Sequence, residues 1–145
     1  MDVWDYFDRR ERECRDLGLV PSDTIPEQFL EMKGSDGTRG LVMARYSMSD
    51  TALIEVMEIV EIVDGTHAHR AKYSYYLVVD GVEHYARERD PSHAIAVHGH
   101  GLHHAWEPAD PISFVQFVKN SWDRISDLAD EAHDDPLDDP LAPEQ

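Results

Sequence analysis

Residues 52–90 read ALIEVMEIVEIVDGTHAHRAKYSYYLVVDGVEHYARERD, and this stretch decides the fold. Three runs rich in Val, Ile, Leu and Tyr are separated by Asp64-Gly65 and Asp80-Gly81. An Asp-Gly pair supplies the two positive φ angles of a type I′ turn, whose twist matches that of the strands it joins. The stretch therefore predicts an antiparallel meander of 52–63, 66–79 and 82–90, extended to about four strands by 41–49. Within the first strand Glu55, Glu58 and Glu61 recur every three residues, which fits neither the helical nor the strand period. A bulge in that strand, resetting which face each residue takes, is the expected reason.

Working outward, Val3, Phe7, Cys14 and Leu17 recur at helical spacing and predict an amphipathic helix over 2–17, closed by Gly18 and Pro21. Residues 21–40 read as a connecting loop around a short apolar turn at 29–32. After the meander comes a His-rich loop, 91–108. Asp110 then caps a second helix over 110–129 with Pro111 at its first position. Its expected buried stripe is Val115, Val118, Trp122, Ile125 and Ala129, and Trp4 and Trp122 are expected to dock the two helices. Residues 131–145 form an acidic tail whose composition predicts disorder. The fold class is α+β: one domain over 1–130, an antiparallel sheet with N- and C-terminal helices on one face.

The 145 residues hold 30 acids against 13 bases, a net charge of −17, which disfavours duplex DNA binding by the surface as a whole. No apolar run reaches the roughly 18–20 residues of a membrane helix, and the first ten residues lack a signal-peptide core. The single cysteine, Cys14, makes no internal disulfide and reads as a buried thiol rather than a nucleophile. The expectation is a soluble, cytoplasmic protein with no membrane partner, its oligomeric state left open.

Only residues 66–89 are locally basic, with four bases against three acids. A two-residue turn at Asp80-Gly81 would set Tyr76 opposite Tyr85, Ser74 opposite Arg87 and Lys72 opposite Arg89. Alternation then gathers Arg70, Lys72, Ser74, Tyr76, Val78, Glu83, Tyr85, Arg87 and Arg89 on one face, with His84, Ala86 and Glu88 on the other. Cations interleaved with aromatic rings suit the phosphates and unstacked bases of single-stranded RNA. The plainer account is a solvated sheet face guarded by Lys and Arg.

Five of the nine histidines fall within 93–104. Three readings compete. His98-x-His100 with His103 or His104 would hold a divalent metal, both rings of an extended His-x-His pointing one way. Alternatively His93, His98 or His100 would serve as acid and base in RNA cleavage, with Asp90 as orienter. Lys72, Arg87 and Arg89 would then bind phosphate, while Tyr76 and Tyr85 stack or position. The third reading is of loop residues making hydrogen bonds.

The sequence from about 54 to 125 resembles the TumE-type toxins of prokaryotic toxin–antitoxin modules. The likeness rests on Lys72-Tyr73-Ser74-Tyr75-Tyr76, a short hairpin turn, a strand ending Arg87-Glu88-Arg89-Asp90, His93 just after it, and the later histidines. It departs from the family pattern where Arg89 and Asp90 are adjacent, and where Pro is missing from the later cluster. The resemblance implies a growth-inhibiting protein neutralised by a cognate antitoxin protein, and by analogy a His-dependent, metal-independent endoribonuclease. The competing expectations are a non-catalytic acidic interaction or inhibitor protein, and a metal-dependent hydrolase built on His98, His100, His103 and His104.

Overall fold

The computed structural model describes residues 1–21, 29–33, 37–101 and 107–133. In chain order they form α1 (Val3–Asp16), β1 (Val20–Pro21), β2 (Phe29–Lys33), β3 (Arg39–Ser47), β4 (Ala52–Val63), β5 (His67–Val79), β6 (Val82–Arg89), β7 (Val97–Gly101), β8 (Glu107–Pro108) and α2 (Phe114–His133). The sheet runs β3-β4-β5-β6-β7, with β1 and β2 both on β3 and β8 on β7, and every pairing is antiparallel. The architecture is α+β. Instead of about four strands there are six of five residues or more, plus two of two residues. β2 stands where an apolar turn was expected. β7 forms inside the expected His-rich loop, because its ladder to β6 overrides the weak strand preference of Gly.

Both Asp-Gly turns adopt the expected conformation, with φ of 54° and 67° at Asp64 and Gly65 and 51° and 77° at Asp80 and Gly81. The bulge expected in β4 is absent. From Ala52 to Val60 buried and half-buried residues alternate without a break, so Glu58 occupies a core position and is 0% exposed. Glu55 and Glu61 point to the opposite face and pair with Arg45 and Arg39.

Two bulges lie instead in the neighbouring strands. Ile59 pairs with Lys72 but Val60 with Arg70, leaving Ala71 as a surplus residue of β5. Leu77 pairs with Tyr85 but Val78 with Glu83, leaving His84 as a surplus residue of β6. A one-residue slip moves every later side chain to the other face. Tyr76 therefore faces Ala86, Ser74 faces Glu88, and Tyr85, Arg87 and Arg89 join Leu77, Tyr75 and Tyr73.

Both helices cover the face that carries Tyr73 and Tyr75. Asp2 caps α1 in a reciprocal box with Asp5, and the helix ends at Leu17 before Gly18 at φ 77°. Val3, Tyr6, Arg10 and Cys14 are its buried positions. Trp4, expected to dock the helix, is half exposed. Burial pushes the Cys14 thiol up to about 11.

α2 begins at Phe114, not at 110. Residues 110–113 are outside any helix or strand; the Ile112 amide donates to the Tyr73 hydroxyl at 3.2 Å, and Ser113 caps the helix by accepting from the Gln116 amide. The buried α2 residues are Phe114, Phe117, Val118 and Ser121, with Trp122 and Ile125 half-buried and Ala129 exposed. Phe117 stacks on Tyr85 at 4.8 Å and meets Tyr75 at 5.3 Å; ring pairs of this kind add roughly 0.5–1.5 kcal/mol each beyond their buried area.

Glu58 ties α1 to the sheet. Its carboxylate accepts from Arg10 Nη1 at 2.8 Å, from the Tyr6 hydroxyl at 3.1 Å and from the Tyr75 hydroxyl. Burial, then the Glu58 charge, push both tyrosine hydroxyls well above their ordinary range, so they remain donors. Removing Glu58 would leave the buried Arg10 uncompensated. Glu58→Ala is expected to cost about 3–5 kcal/mol in urea unfolding. Glu55→Ala, which breaks an exposed pair, should cost about 0–1 kcal/mol.

Candidate functional site

The face away from the helices carries the chemistry of the histidines. Residues opposite one another across a ladder share a face, so one row runs Met43, Met57, Ser74, Glu88, His98. The next runs Arg45, Glu55, Tyr76, Ala86, His100. As expected for an extended His-x-His, His98 and His100 point the same way. Gly99 between them faces the helix side, where the Arg87 stem crosses it so closely that an added Cβ would lie 2.8 Å from Cδ.

His98 is 0% exposed, and both its nitrogens are engaged. Nδ1 donates to the Ile95 carbonyl at 2.9 Å, and Nε2 lies 2.9 Å from Glu88 Oε2. The other oxygen of Glu88 accepts from the Tyr76 hydroxyl. Burial, then that hydrogen bond and the Glu88 charge, raise the Tyr76 hydroxyl far above its usual range. The chain Tyr76–Glu88–His98–Ile95 pins the loop after β6 to the sheet. His100 is buried too, with Nδ1 2.8 Å from Glu83 Oε2 and its ring 6.1 Å from that of Tyr76.

On this pinned loop Asp90 and His93 come together. Asp90 Oδ1 accepts from the Ser92 hydroxyl at 2.6 Å and from its amide at 3.0 Å. Oδ2 lies 3.3 Å from His93 Nε2 and 3.4 Å from Lys72 Nζ. The His93 ring stacks on His98 with centres 5.6 Å apart. About half of the His93 side chain is exposed, and with Ala94, Ile95 and His98 it lines a shallow cavity of about 330 Å³. A carboxylate on one side of an exposed imidazole, with an ammonium group beside it, is an arrangement for proton transfer next to an anion.

The open face thus brings together Lys72, Tyr76, Asp90, His93, His98 and His100. It does not include Tyr85, Arg87 or Arg89, which the His84 bulge turns towards the helices. There Tyr85 stacks on Phe117 and accepts from Asn120 Nδ2, and Arg87 donates to the Asp110 carbonyl. Arg70 follows them: its guanidinium lies 4.4 Å from the Tyr73 ring centre, on the helix side. His103 and His104 lie outside the described residues. Among the described residues no group of three or more His, Cys, Asp or Glu is arranged to hold a metal ion. Sequence reasoning missed Glu88, which its alternation had put in the core, and Glu58; the only sign of either was an acid out of step with its strand.

Comparisons with models of known families, with curated proteins and with solved structures return no match. No described helix is long and apolar enough to cross a membrane.

The Ser92 hydroxyl, then its amide, and further off Lys72 and His93, lower the Asp90 carboxyl from 3.8 to about 2. With the folded value below the unfolded one, Asp90 contributes stability above about pH 4 and loses it as pH falls towards 2. Carbon-detected NMR should give an Asp90 midpoint near 2, and Ser92→Ala should move it upward.

Proposed function

We propose that this chain is a toxin-like protein that acts on RNA through His93 and is neutralised by a partner antitoxin. One observation carries the reading: the exposed His93 imidazole is held by Asp90, with Lys72 on the same carboxylate, over a shallow cavity in an otherwise acidic protein. The TumE-like sequence pattern supports it independently, since Lys72, Asp90 and His93 are among the residues that carry that likeness.

In this scheme His93 removes the proton of an RNA 2′-hydroxyl, whose oxygen then attacks the adjacent phosphorus. The bond from phosphorus to the 5′-oxygen breaks, and that oxygen leaves with a proton from solvent. Lys72 offsets the charge that builds on the non-bridging oxygens, and Asp90 stabilises the imidazolium. His98 acts as a positioning residue: both its nitrogens are spent on Glu88 and Ile95, and its ring backs that of His93.

General-base assistance of this type contributes about 10²–10⁴-fold, so His93→Ala should abolish RNA cleavage on the timescale of a growth experiment. Induced expression of the wild type is expected to arrest growth and fragment total RNA. The His93→Ala protein, equally folded by circular dichroism, should do neither. Arrest by the variant as strong as that of the wild type would overturn the site. Intact RNA during wild-type arrest would move the function from cleavage to binding.

A further inference from the structure

The helix-facing side of β5 and β6 carries three arginines that form no ion pair with a carboxylate among the described residues. Elsewhere Arg10 pairs with Glu58, Arg15 with Glu11, Arg39 with Glu61, Arg45 with Glu55 and Arg124 with Glu131. Arg9 and Arg12 stand exposed on α1. In a chain with 30 acids for 13 bases, half-buried arginines without an acidic partner are the exception. Arg87 and Arg89 are such residues among those described, while Arg70 reaches the buried Glu58 charge only through the Tyr75 hydroxyl.

Their placement is specific. Arg87 and Arg89 are alternate residues of β6 past the His84 bulge, so they stand on one face about 7 Å apart along the strand. Arg89 is in register with Tyr73, and from the far side of the Ala71 bulge in β5 Arg70 lies over the same Tyr73 ring while donating to the Tyr75 hydroxyl at 2.9 Å. The Arg87 stem is fixed across Gly99, and one end of its guanidinium donates to the Asp110 carbonyl. The Nε atoms of both Arg87 and Arg89 are shielded from solvent and meet no acceptor among the described residues. A shielded donor without an acceptor costs about 1–3 kcal/mol, and more on a charged group. The two stand at alternate positions on one face of β6.

We propose that Arg87 and Arg89, with Arg70 across Tyr73, form a binding site for a phosphate group on the helix-facing side of the sheet. A guanidinium group offers paired N–H donors to two oxygens of one phosphate, and the shielded Nε would join them only if the side chain turns outward. The site lies on the opposite face from Asp90 and His93 and stands whether or not the RNA reading holds. The phosphate comes either as a free or terminal group or as an internal phosphodiester of RNA.

The full chain titrated with inorganic phosphate, followed by the arginine Nε–H resonances in NMR, tests it. The Arg87 and Arg89 signals are expected to shift together and saturably. Arg89→Gln should weaken binding about tenfold or more, Arg89→Lys less, and Arg45→Gln, remote from both sites, not at all. A 5′-phosphorylated tetrauridylate that binds more tightly than its unphosphorylated form would assign the site to a terminal phosphate. Equal binding of the two, lost in Arg89→Gln, would assign it to the backbone. No saturable shift of either resonance in the wild type, a readout that needs no variant to fold, would overturn the proposal. Binding that survives in both Arg87→Gln and Arg89→Gln would do the same.

Discussion

One surplus residue on β6, His84, settles which side of the sheet the rest of that strand faces. Without it Arg87 and Arg89 would stand beside Lys72 and Tyr76, and Glu88 would be driven under α2 with no partner. With it Tyr85 fills the space against Phe117, Ala86 takes its place between Tyr76 and His100, and Glu88 meets His98 and Tyr76. The surplus residue Ala71 does the same for Arg70 on β5. Two insertions of a single residue therefore sort the basic residues of this hairpin between two faces. Lys72 remains on one, and three arginines go to the other.

A buried carboxylate then anchors each face. Glu58 holds α1 down through Arg10 and Tyr6, and reaches across the sheet to Tyr75. Glu88 holds the loop after β6 through His98 and Tyr76. Buried ion pairs add little net stability compared with apolar residues of the same volume, but the cost of breaking one is large. Here that asymmetry fixes direction: α1 has one seating in which Arg10 meets Glu58, and the loop has one in which Ile95 meets His98. Asp90 and His93 inherit their positions from the second of these.

Much of this architecture was legible in the chain. The two Asp-Gly turns, the strands they join and the first helix follow from local chemistry, where a pair of residues or a 3.6-residue period carries the signal. Grouping Asp90 with His93 also follows, since they are three residues apart in one loop. What sequence could not resolve is register, because a bulge is decided by which face gains more from burial, and that is a sum over strands far apart in the chain. Glu58 is an example: its out-of-step spacing pointed to a break in β4, whereas β4 is regular and the carboxylate is simply buried with its partners. β7 was hidden for a related reason. A segment reading Val-His-Gly-His-Gly has little strand preference of its own, and forms one because β6 presents it with an edge.

The crossing of Arg87 over Gly99 has a consequence for how this protein can change over generations. Position 99 has room for no side chain while an arginine lies across it, and a shorter residue at 87 would open a void there that a larger residue at 99 could fill. The two sites are a steric couple and must drift together, although 12 positions separate them in the chain. The glycine between His98 and His100 is thereby the imprint of an arginine on the far side of the sheet.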